Sequence, residues 1–415
     1  MSKEKLIPAL RFPEFSENWV NTSVSELFDI LRGSIFSKAD ITENGTEQCI
    51  HYGELFSKYN EVISSIISRT NKIDGIRSKV GDILMPSSDV TPTGLAKASA
   101  IMVDNVLLGG DMNILRPKRE INSIFLSYLL NHSKGQIIKL VSGTTVKHIY
   151  PSQIATCVVP VVNNKTEQQK IASCLSSLDE VITAHSQQLA LLKEHKKGLL
   201  QNLFPQGDEK VPKLRFKEFE KDGEWKFPKL EEKMDIFRGA SPRPQGDPKY
   251  YGGKIPRLMI EDVTRDGKYS IPKIDSLTEE GAAKSRLLEK GSVVLSCSGT
   301  RVGIPGILAV DACIHDGWLG FRNFNEVDTE FLYYHFCNLH EKIQGNALAG
   351  GVFNNLTTSI LKEMRLGFPD QKEQQKIADC LSSLDVLITA QAEKIEQLQG
   401  HKKGLMQGLF PKIKE

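Results

Sequence analysis

Apolar residues recur along two stretches of this chain at alternating steps of three and four. Ile171, Leu175, Leu178, Ile182, Leu189, Leu192, Leu199 and Leu203 hold the pattern in the first stretch. Ile377, Leu381, Leu384, Ile388, Ile395, Leu398, Leu405 and Leu409 hold it in the same register in the second. That spacing puts the apolar side chains on one helix face and is the mark of a seam between wrapped helices. The skipped seam positions carry His185 and Lys196 in one copy and Gln391 and Lys402 in the other. Polar groups there weaken a seam but fix its register and pairing. Asn164 and Asp370 read as N-caps, with Glu167 and Glu373 three residues on as capping-box partners, and Pro205 and Pro411 stop both runs. Each predicted helix is about 60 Å long if straight, with a kink or early end open at Gly198 and Gly404.

The two stretches are copies. Residues 167–205 return as residues 373–411, displaced by 206 positions without a gap, and most aligned residues are identical. Internal repeats of this kind set the architecture. Two amphipathic helices belonging to two ordinary cores would also be periodic. A seam that is itself duplicated over so long a run is more simply buried against its own copy. Related by a two-fold axis across their length, the helices would lie antiparallel in a self-complementary contact, as a spacer rod with a globular body at either end.

The repeat extends beyond the helices. Pro8-Ala9-Leu10-Arg11-Phe12 with Glu14-Phe15 and Trp19 returns as Pro212-Lys213-Leu214-Arg215-Phe216 with Glu218-Phe219 and Trp225. The chain therefore divides into residues 1–162, an opening segment and first head; 163–205, the first helix; 206–368, a polar link and second head; and 369–415, the second helix and tail. The heads share a plan but little sequence. Each begins with a segment ending in Arg-Gly, at Arg32-Gly33 and Arg238-Gly239. Each then shows short β-like runs broken by Gly, Pro, Ser and Asn. Val80-Gly81-Asp82-Ile83-Leu84-Met85 leads into Pro86-Ser87-Ser88, and Gly291-Ser292-Val293-Val294-Leu295 leads into Ser296-Cys297-Ser298-Gly299-Thr300-Arg301, each read as a strand delivering a loop of small hydroxyl residues. Residues 125–130 and 331–336 are aromatic helix candidates. Gly143-Thr144-Thr145-Val146-Lys147-His148 and Gly350-Gly351-Val352-Phe353-Asn354-Asn355 follow. The class implied is α/β (α+β), two heads with a pseudo-two-fold repeat.

Composition narrows the function only slightly. Of 415 residues, 25% are charged and 40% hydrophobic, an ordinary soluble balance. No apolar run nears the ~20 residues that span a bilayer, and MSKEKLIPAL has no apolar signal core, so a cytoplasmic location without membrane association is expected. Seven cysteines with no CxxC pair favour reduced thiols over disulfides or a zinc site. A net charge of +2 removes any argument from overall basicity; nucleic-acid binding would need a basic face rather than a basic total.

The PALRFPEF and PKLRFKEF segments, the EQQKIA…LSSLD helices and the closing HKKGL…LFP resemble the specificity subunit of type I restriction–modification enzymes. The likeness spans essentially the whole chain. In the heads it rests on weaker patterns, RLMIEDVTRDG at residues 257–267 and GTTVKHI at 143–149. The resemblance implies two target recognition domains held by an antiparallel helix pair, each reading half of a bipartite, usually asymmetric site in double-stranded DNA. It implies two docked methyltransferase subunits and restriction–translocase subunits. S-adenosylmethionine, ATP and Mg2+ would serve those partners, with no cofactor bound by this chain.

The residues agree with a chain that does no chemistry. There is no Gly-rich loop ending in Gly-Lys-Ser/Thr, and no Pro-Pro pair from which an amino-methyltransferase motif could be built. Pro369-Asp370 with Glu373 superficially resembles a nuclease carboxylate set, but Asp370 is needed as a helix cap. Gly299-Thr300-Arg301-Val302-Gly303 reads as a turn rather than a phosphate cradle. His148 and His185 lack ligand partners at a metal spacing; no catalytic or metal residue is assigned.

Major-groove readout uses Arg or Lys toward guanine, Asn or Gln toward adenine, and hydroxyls toward either. The candidates are Arg32, Lys38, Ser87, Ser88, Thr91, Thr93, Lys97, Thr144, Thr145, Lys147 and His148 in the first head. In the second they are Arg238, Arg243, Arg257, Ser298, Thr300, Arg301, Asn354 and Asn355. The repeat matches Lys147-His148 to Asn354-Asn355. Against each stands the plainer role of a solvated charge, a strand-end tie or a turn hydroxyl. Two other functions remain: a two-headed protein scaffold that binds no DNA, and an enzyme with unfamiliar motifs.

Overall fold

The structure, a computed structural model, describes residues 6–34, 36–299, 301–347 and 356–412. Both seam runs are single helices, Lys165–Asn202 and Gln371–Leu409. Neither breaks at its inner glycine: a Cβ at Gly198 or Gly404 would meet no atom within 4 Å, so these positions face open space. The predicted seam positions are the covered ones. Leu178, Ile182, Leu189 and Leu192 are half-buried while their chain neighbours, Asp179 apart, are exposed, and Leu384, Ile388, Ile395 and Leu398 repeat the pattern with Asp385 as the half-buried neighbour. Coverage is partial because a facing helix shields a knob from one side only. Ile171, Leu175, Ile377 and Leu381, which also meet a head, are fully buried.

The chain forms two compact units, Met1–Ser186 with Glu393–Glu415, and Gln187–Ala392. The boundary cuts both long helices. In each unit the start of one helix lies antiparallel to the end of the other. In the first, Leu175 shares a core with Leu405, Leu409 and Phe410, and Asp179 meets Lys402. In the second, Ile377 and Leu381 share a core with Leu199, Leu200, Leu203 and Phe204, and Asp385 meets Lys196.

The heads repeat the same sheet. The first orders its strands Phe28–Arg32, Met112–Pro117, Ile83–Pro86, Ser99–Ile101 and Val62–Ile63, antiparallel except for the last, parallel pair. The second orders Asp235–Arg238, Trp318–Arg322, Val293–Ser296, Pro305–Leu308 and Tyr269–Ser270 with the same directions. Buried strands of this kind read as unbroken apolar runs. The aromatic runs form the helices Ser123–His132 and Thr329–Ala347, whose Phe125 and Phe331 are fully buried.

The Leu-Arg-Phe segments find their purpose here. Arg11 donates from Nε and Nη2 to both carboxylate oxygens of Glu167, each at 2.8 Å. Arg215 does the same to Glu373, at 2.8 and 2.7 Å. Both carboxylates are buried. This corrects the capping-box reading of Glu167 and Glu373. A carboxylate that deep needs a full counter-charge, and a backbone N–H supplies only a dipole. Asn164 does cap as expected, accepting from the Glu167 N–H at 3.0 Å. All seven cysteines are free, and burial pushes the Cys49 and Cys157 thiols up to about 11. Among the described residues no helix is long and apolar enough to cross a membrane, and no group of three acidic, His or Cys residues is placed to hold a metal ion.

Removing one partner of a buried pair strands the other charge. Arg11→Met should therefore destabilise the first unit by about 3–5 kcal/mol in urea unfolding, and the double change Arg11→Met, Glu167→Leu should recover most of that loss. A single-variant cost below about 1 kcal/mol, the size of an exposed pair, would show that the ion pair does not hold the opening segment.

Candidate nucleic-acid interface

In the first head three strands place Arg32, Asn113 and Met85 side by side, because Asn113 lies opposite Arg32 on one neighbour and opposite Met85 on the other. Gly33 then turns the chain close over the sheet: a Cβ there would sit 1.7 Å from the Gly109 carbonyl oxygen, so the glycine of the Arg-Gly pair is a steric requirement. Beyond the sheet, Ser88-Asp89 pairs antiparallel with Lys147-His148. Ile149 N–H donates to the Ser87 carbonyl at 3.1 Å, and Asn113 Nδ2 donates to the Ile149 carbonyl at 3.1 Å.

That pairing lifts a tight loop. Ser142 and His148 exchange backbone hydrogen bonds of 3.0 and 2.8 Å, leaving Thr144, Thr145 and Val146 exposed at the tip. Lys147 Nζ folds back to the Gly143 carbonyl at 2.7 Å. Thr91 and Thr93 are exposed on the neighbouring turn, where Thr91 donates to Asp89 at 2.7 Å and Thr93 to Thr91 at 3.4 Å. The structure thus brings Arg32, Thr91, Thr93, Thr144, Thr145, Lys147 and His148 to one loop cluster. Lys38 is exposed on a separate short 3-10 turn, Lys38–Asp40.

Tyr150 belongs to the same cluster and is 41% exposed. The His148 ring stacks on it at 6.1 Å, and the Arg32 guanidinium lies 6.0 Å from its ring centre. An aromatic two residues beyond Lys147-His148, after the apolar Ile149, at the end of a hydroxyl-rich loop was the available signal. These ring contacts restrict where the Arg32 and His148 side chains point.

Three first-head candidates change role. Ser87 and Ser88 are buried, so they serve the strand pairing and do not present hydroxyls to solvent. Lys97 Nζ donates to the Tyr59 carbonyl at 2.5 Å, and burial pushes its ammonium below the usual lysine range. It ties the head together.

The second head repeats these backbone pins with other side chains. Arg238 lies opposite Leu319, and Leu319 opposite Leu295. Cys297 N–H donates to the Gly317 carbonyl at 2.8 Å as Ser87 N–H does to Asp111 at 2.8 Å, and Leu356 N–H donates to Cys297 at 3.1 Å as Ile149 does to Ser87. A Cβ on Gly239 would meet the His315 carbonyl oxygen at 2.2 Å. Arg238 Nε donates to the Asp316 carbonyl at 2.6 Å while remaining exposed, and the Ser241 hydroxyl holds the Asp316 carboxyl below its usual range. Arg243 and Arg301 are exposed and Ser298 half-buried. The loop carrying Arg301 is cinched by Ser296, which donates to the Arg301 carbonyl at 2.5 Å and accepts from Ile304 N–H at 2.8 Å. Arg257 departs from expectation: it is buried, ion-paired to Asp275, 3.2 Å from Ser241 Oγ and over the Tyr251 ring at 5.4 Å. Its two Nη groups are held inside the fold by Asp275 and Ser241, and its Nε is buried without a partner. Thr300, Asn354 and Asn355 lie outside the described residues.

The two heads thus repeat one frame with different side chains at matched places. The model for the Type I restriction modification DNA specificity domain matches residues 16–194 and again residues 222–399. The chain belongs to that family and carries its domain twice. It is 25% identical to the putative type I restriction enzyme MjaX specificity subunit of Methanocaldococcus jannaschii, over 97% of this chain and 95% of that one. It is 24% identical to the MjaVIII specificity subunit of the same organism, over 97% and 93%. Its fold is like that of the type I restriction–modification system S subunit from M. genitalium, with a TM-score of 0.61, 17% identity, and coverage of 98% of this chain and 100% of that one.

Two substitutions separate base reading from scaffolding. Arg32→Ala should leave thermal stability close to wild type and reduce discrimination at one base of a cognate duplex by about 1–3 kcal/mol. Arg257→Met should lower the stability of the second unit by about 3 kcal/mol, as a broken buried pair does, with base preference unchanged. Binding titrations on single-base duplex variants, read beside melting curves, check both; a shifted base preference for Arg257→Met would return it to the reading set.

Proposed function

We propose that the chain is the DNA specificity subunit of a type I restriction–modification complex and catalyses nothing itself. The first head reads one half of a bipartite, asymmetric duplex site through Arg32, Thr91, Thr93, Thr144, Thr145, Lys147 and His148, with Tyr150 beneath Arg32. The second reads the other half through Arg238, Arg243, Ser298 and Arg301, joined by Thr300, Asn354 and Asn355 on sequence grounds. The helix pair sets the unread gap and carries two methyltransferase subunits, through which restriction–translocase subunits join. S-adenosylmethionine, ATP and Mg2+ act on those partners, in the cytoplasm. The observation that carries this reading is the matched backbone with unmatched side chains: Arg32–Asn113–Met85 against Arg238–Leu319–Leu295. One frame held twice with different floors supports recognition of two different half-sites.

A scaffold joining two proteins is the competing class. The two differ in salt response, since contacts to phosphates release counterions and weaken steeply as salt rises.

Co-expression with the cognate methyltransferase subunit, followed by single-molecule mapping of methylated adenines, should return a split, asymmetric motif. A stable complex that methylates no such motif, or duplex affinity insensitive to salt, would favour the scaffold. Inserting one heptad in each long helix, paired so that the seam stays continuous, should lengthen the gap and leave both half-sites unchanged. Altered half-sites would end the ruler idea.

A further inference from the structure

Lys196 and Lys402 stand at seam positions where an apolar residue would hold the helix pair more tightly. Both point to one structure, built twice. In the first unit Lys402 Nζ is 2.7 Å from Asp179 Oδ1, and Tyr128 OH donates to Asp179 Oδ2 at 2.5 Å. In the second, Lys196 Nζ is 2.5 Å from Asp385 Oδ1, and Tyr334 OH donates to Asp385 Oδ2 at 2.6 Å. The ammonium also lies against the tyrosine ring, 5.3 Å from the centre of Tyr128 and 5.4 Å from that of Tyr334. Each carboxylate on one long helix therefore joins the other long helix to the head. All three residues recur at the repeat spacing of 206 positions, although the heads carrying the tyrosines otherwise share little sequence. Burial and the facing carboxylate push both phenol groups well above the usual tyrosine range, so they remain donors.

A second bond holds the same head helix at its beginning. Asn122 N–H donates to Gln168 Oε1 at 3.0 Å, and Asp328 N–H to Gln374 Oε1 at 2.9 Å. Gln168 Nε2 is itself fixed on the Val162 carbonyl at 2.6 Å, and Gln374 Nε2 on that of Pro369 at 2.9 Å. The head helix is thus tied at two points about 9 Å apart along its axis, and the long helix at points about 16 Å apart. Two separated directional bonds resist sliding and tilting, which an apolar contact alone tolerates. One base pair advances about 3.4 Å along a duplex. A head displaced by that much would break a hydrogen bond that is lost within a few tenths of an ångström beyond 3 Å.

We infer that Tyr128–Asp179–Lys402 and Tyr334–Asp385–Lys196, with Gln168 and Gln374, are positioning residues that fix each head on the helix pair and so restrict the complex to one gap length. Apolar packing holds the head on; this lock sets its angle. The inference rests on the proposed reading of a bipartite DNA site and names the residues that hold its spacing.

The test maps methylated adenines for the full chain co-expressed with its methyltransferase subunit, in wild type, Tyr128→Phe, Tyr334→Phe and Lys402→Leu. Each phenylalanine keeps the ring: Tyr128→Phe removes the bond to Asp179, and Tyr334→Phe removes the bond to Asp385 together with the 3.3 Å bond from Lys268. Lys402→Leu leaves Asp179 without its counter-charge and also removes the 3.0 Å pair with Glu61, so its melting temperature is expected to fall, and the comparison is of the ratio between gaps within each variant. In all three variants the half-sites stay as in wild type, while methylation at gaps one base pair longer or shorter rises about tenfold relative to the main gap, the effect of losing roughly one charge-assisted hydrogen bond. Gap discrimination unchanged in every variant, or activity falling equally at all gaps, would overturn the inference. A wild-type chain that yields no bipartite motif fails at the earlier step, and the proposed function falls before any variant is compared.

Discussion

Phe410 is fully buried, and the rings that cover it, Trp19 and Phe125, come from the opposite end of the chain. Phe204 repeats this in the second unit, against Trp225 and Phe331. Each head's core is therefore completed by the tail of the helix that follows the other head. Nothing local can satisfy this. The chain must close on itself before either core is whole, and the entropy of so long a closure is repaid only when the aromatic contacts form. The closing Leu-Phe-Pro of both helices is thus a core element placed beyond a seam, which is why it repeats as faithfully as the seam does.

Charge is used in the same paired way. Arg11 with Glu167, Arg215 with Glu373, Lys402 with Asp179 and Lys196 with Asp385 are four ion pairs built on two designs. None is worth much as bulk stabilisation, because desolvation offsets most of the attraction. Their value is directional: they specify which residues meet at the foot of each head. Net charge near zero and a strongly organised electrostatic frame are compatible for this reason.

Above that frame the heads are free to differ. Main-chain bonds from Gly33, Ser87 and Ile149 are reproduced by Gly239, Cys297 and Leu356. Backbone pins do not depend on side-chain identity, so Asn113 can give way to Leu319 without moving the sheet. A fold held by main-chain bonds and by a repeated ion-pair foot can carry unlike recognition loops at matched positions.

The seam, the repeat, the strand-to-loop plan of the heads and the family were legible in the residues, because periodic burial and duplicated motifs are properties of short stretches. The fate of individual polar residues was not. Arg257 and Arg238 look alike in sequence, yet one is enclosed with Asp275 and the other reaches solvent. Glu167 sits where a capping carboxylate belongs, and Arg11, far away along the chain, takes it instead. Asp179 has no local mark at all: Tyr128 and Lys402 reach it only after the sheet, the head helix and both long helices are in place. Hydrophobic pattern is read one helix turn or one strand at a time and so determines elements and their faces. Hydrogen bonds and ion pairs are short-ranged and directional, and their partners here are remote in sequence, so tertiary structure alone decides which charges hold the frame and which remain exposed.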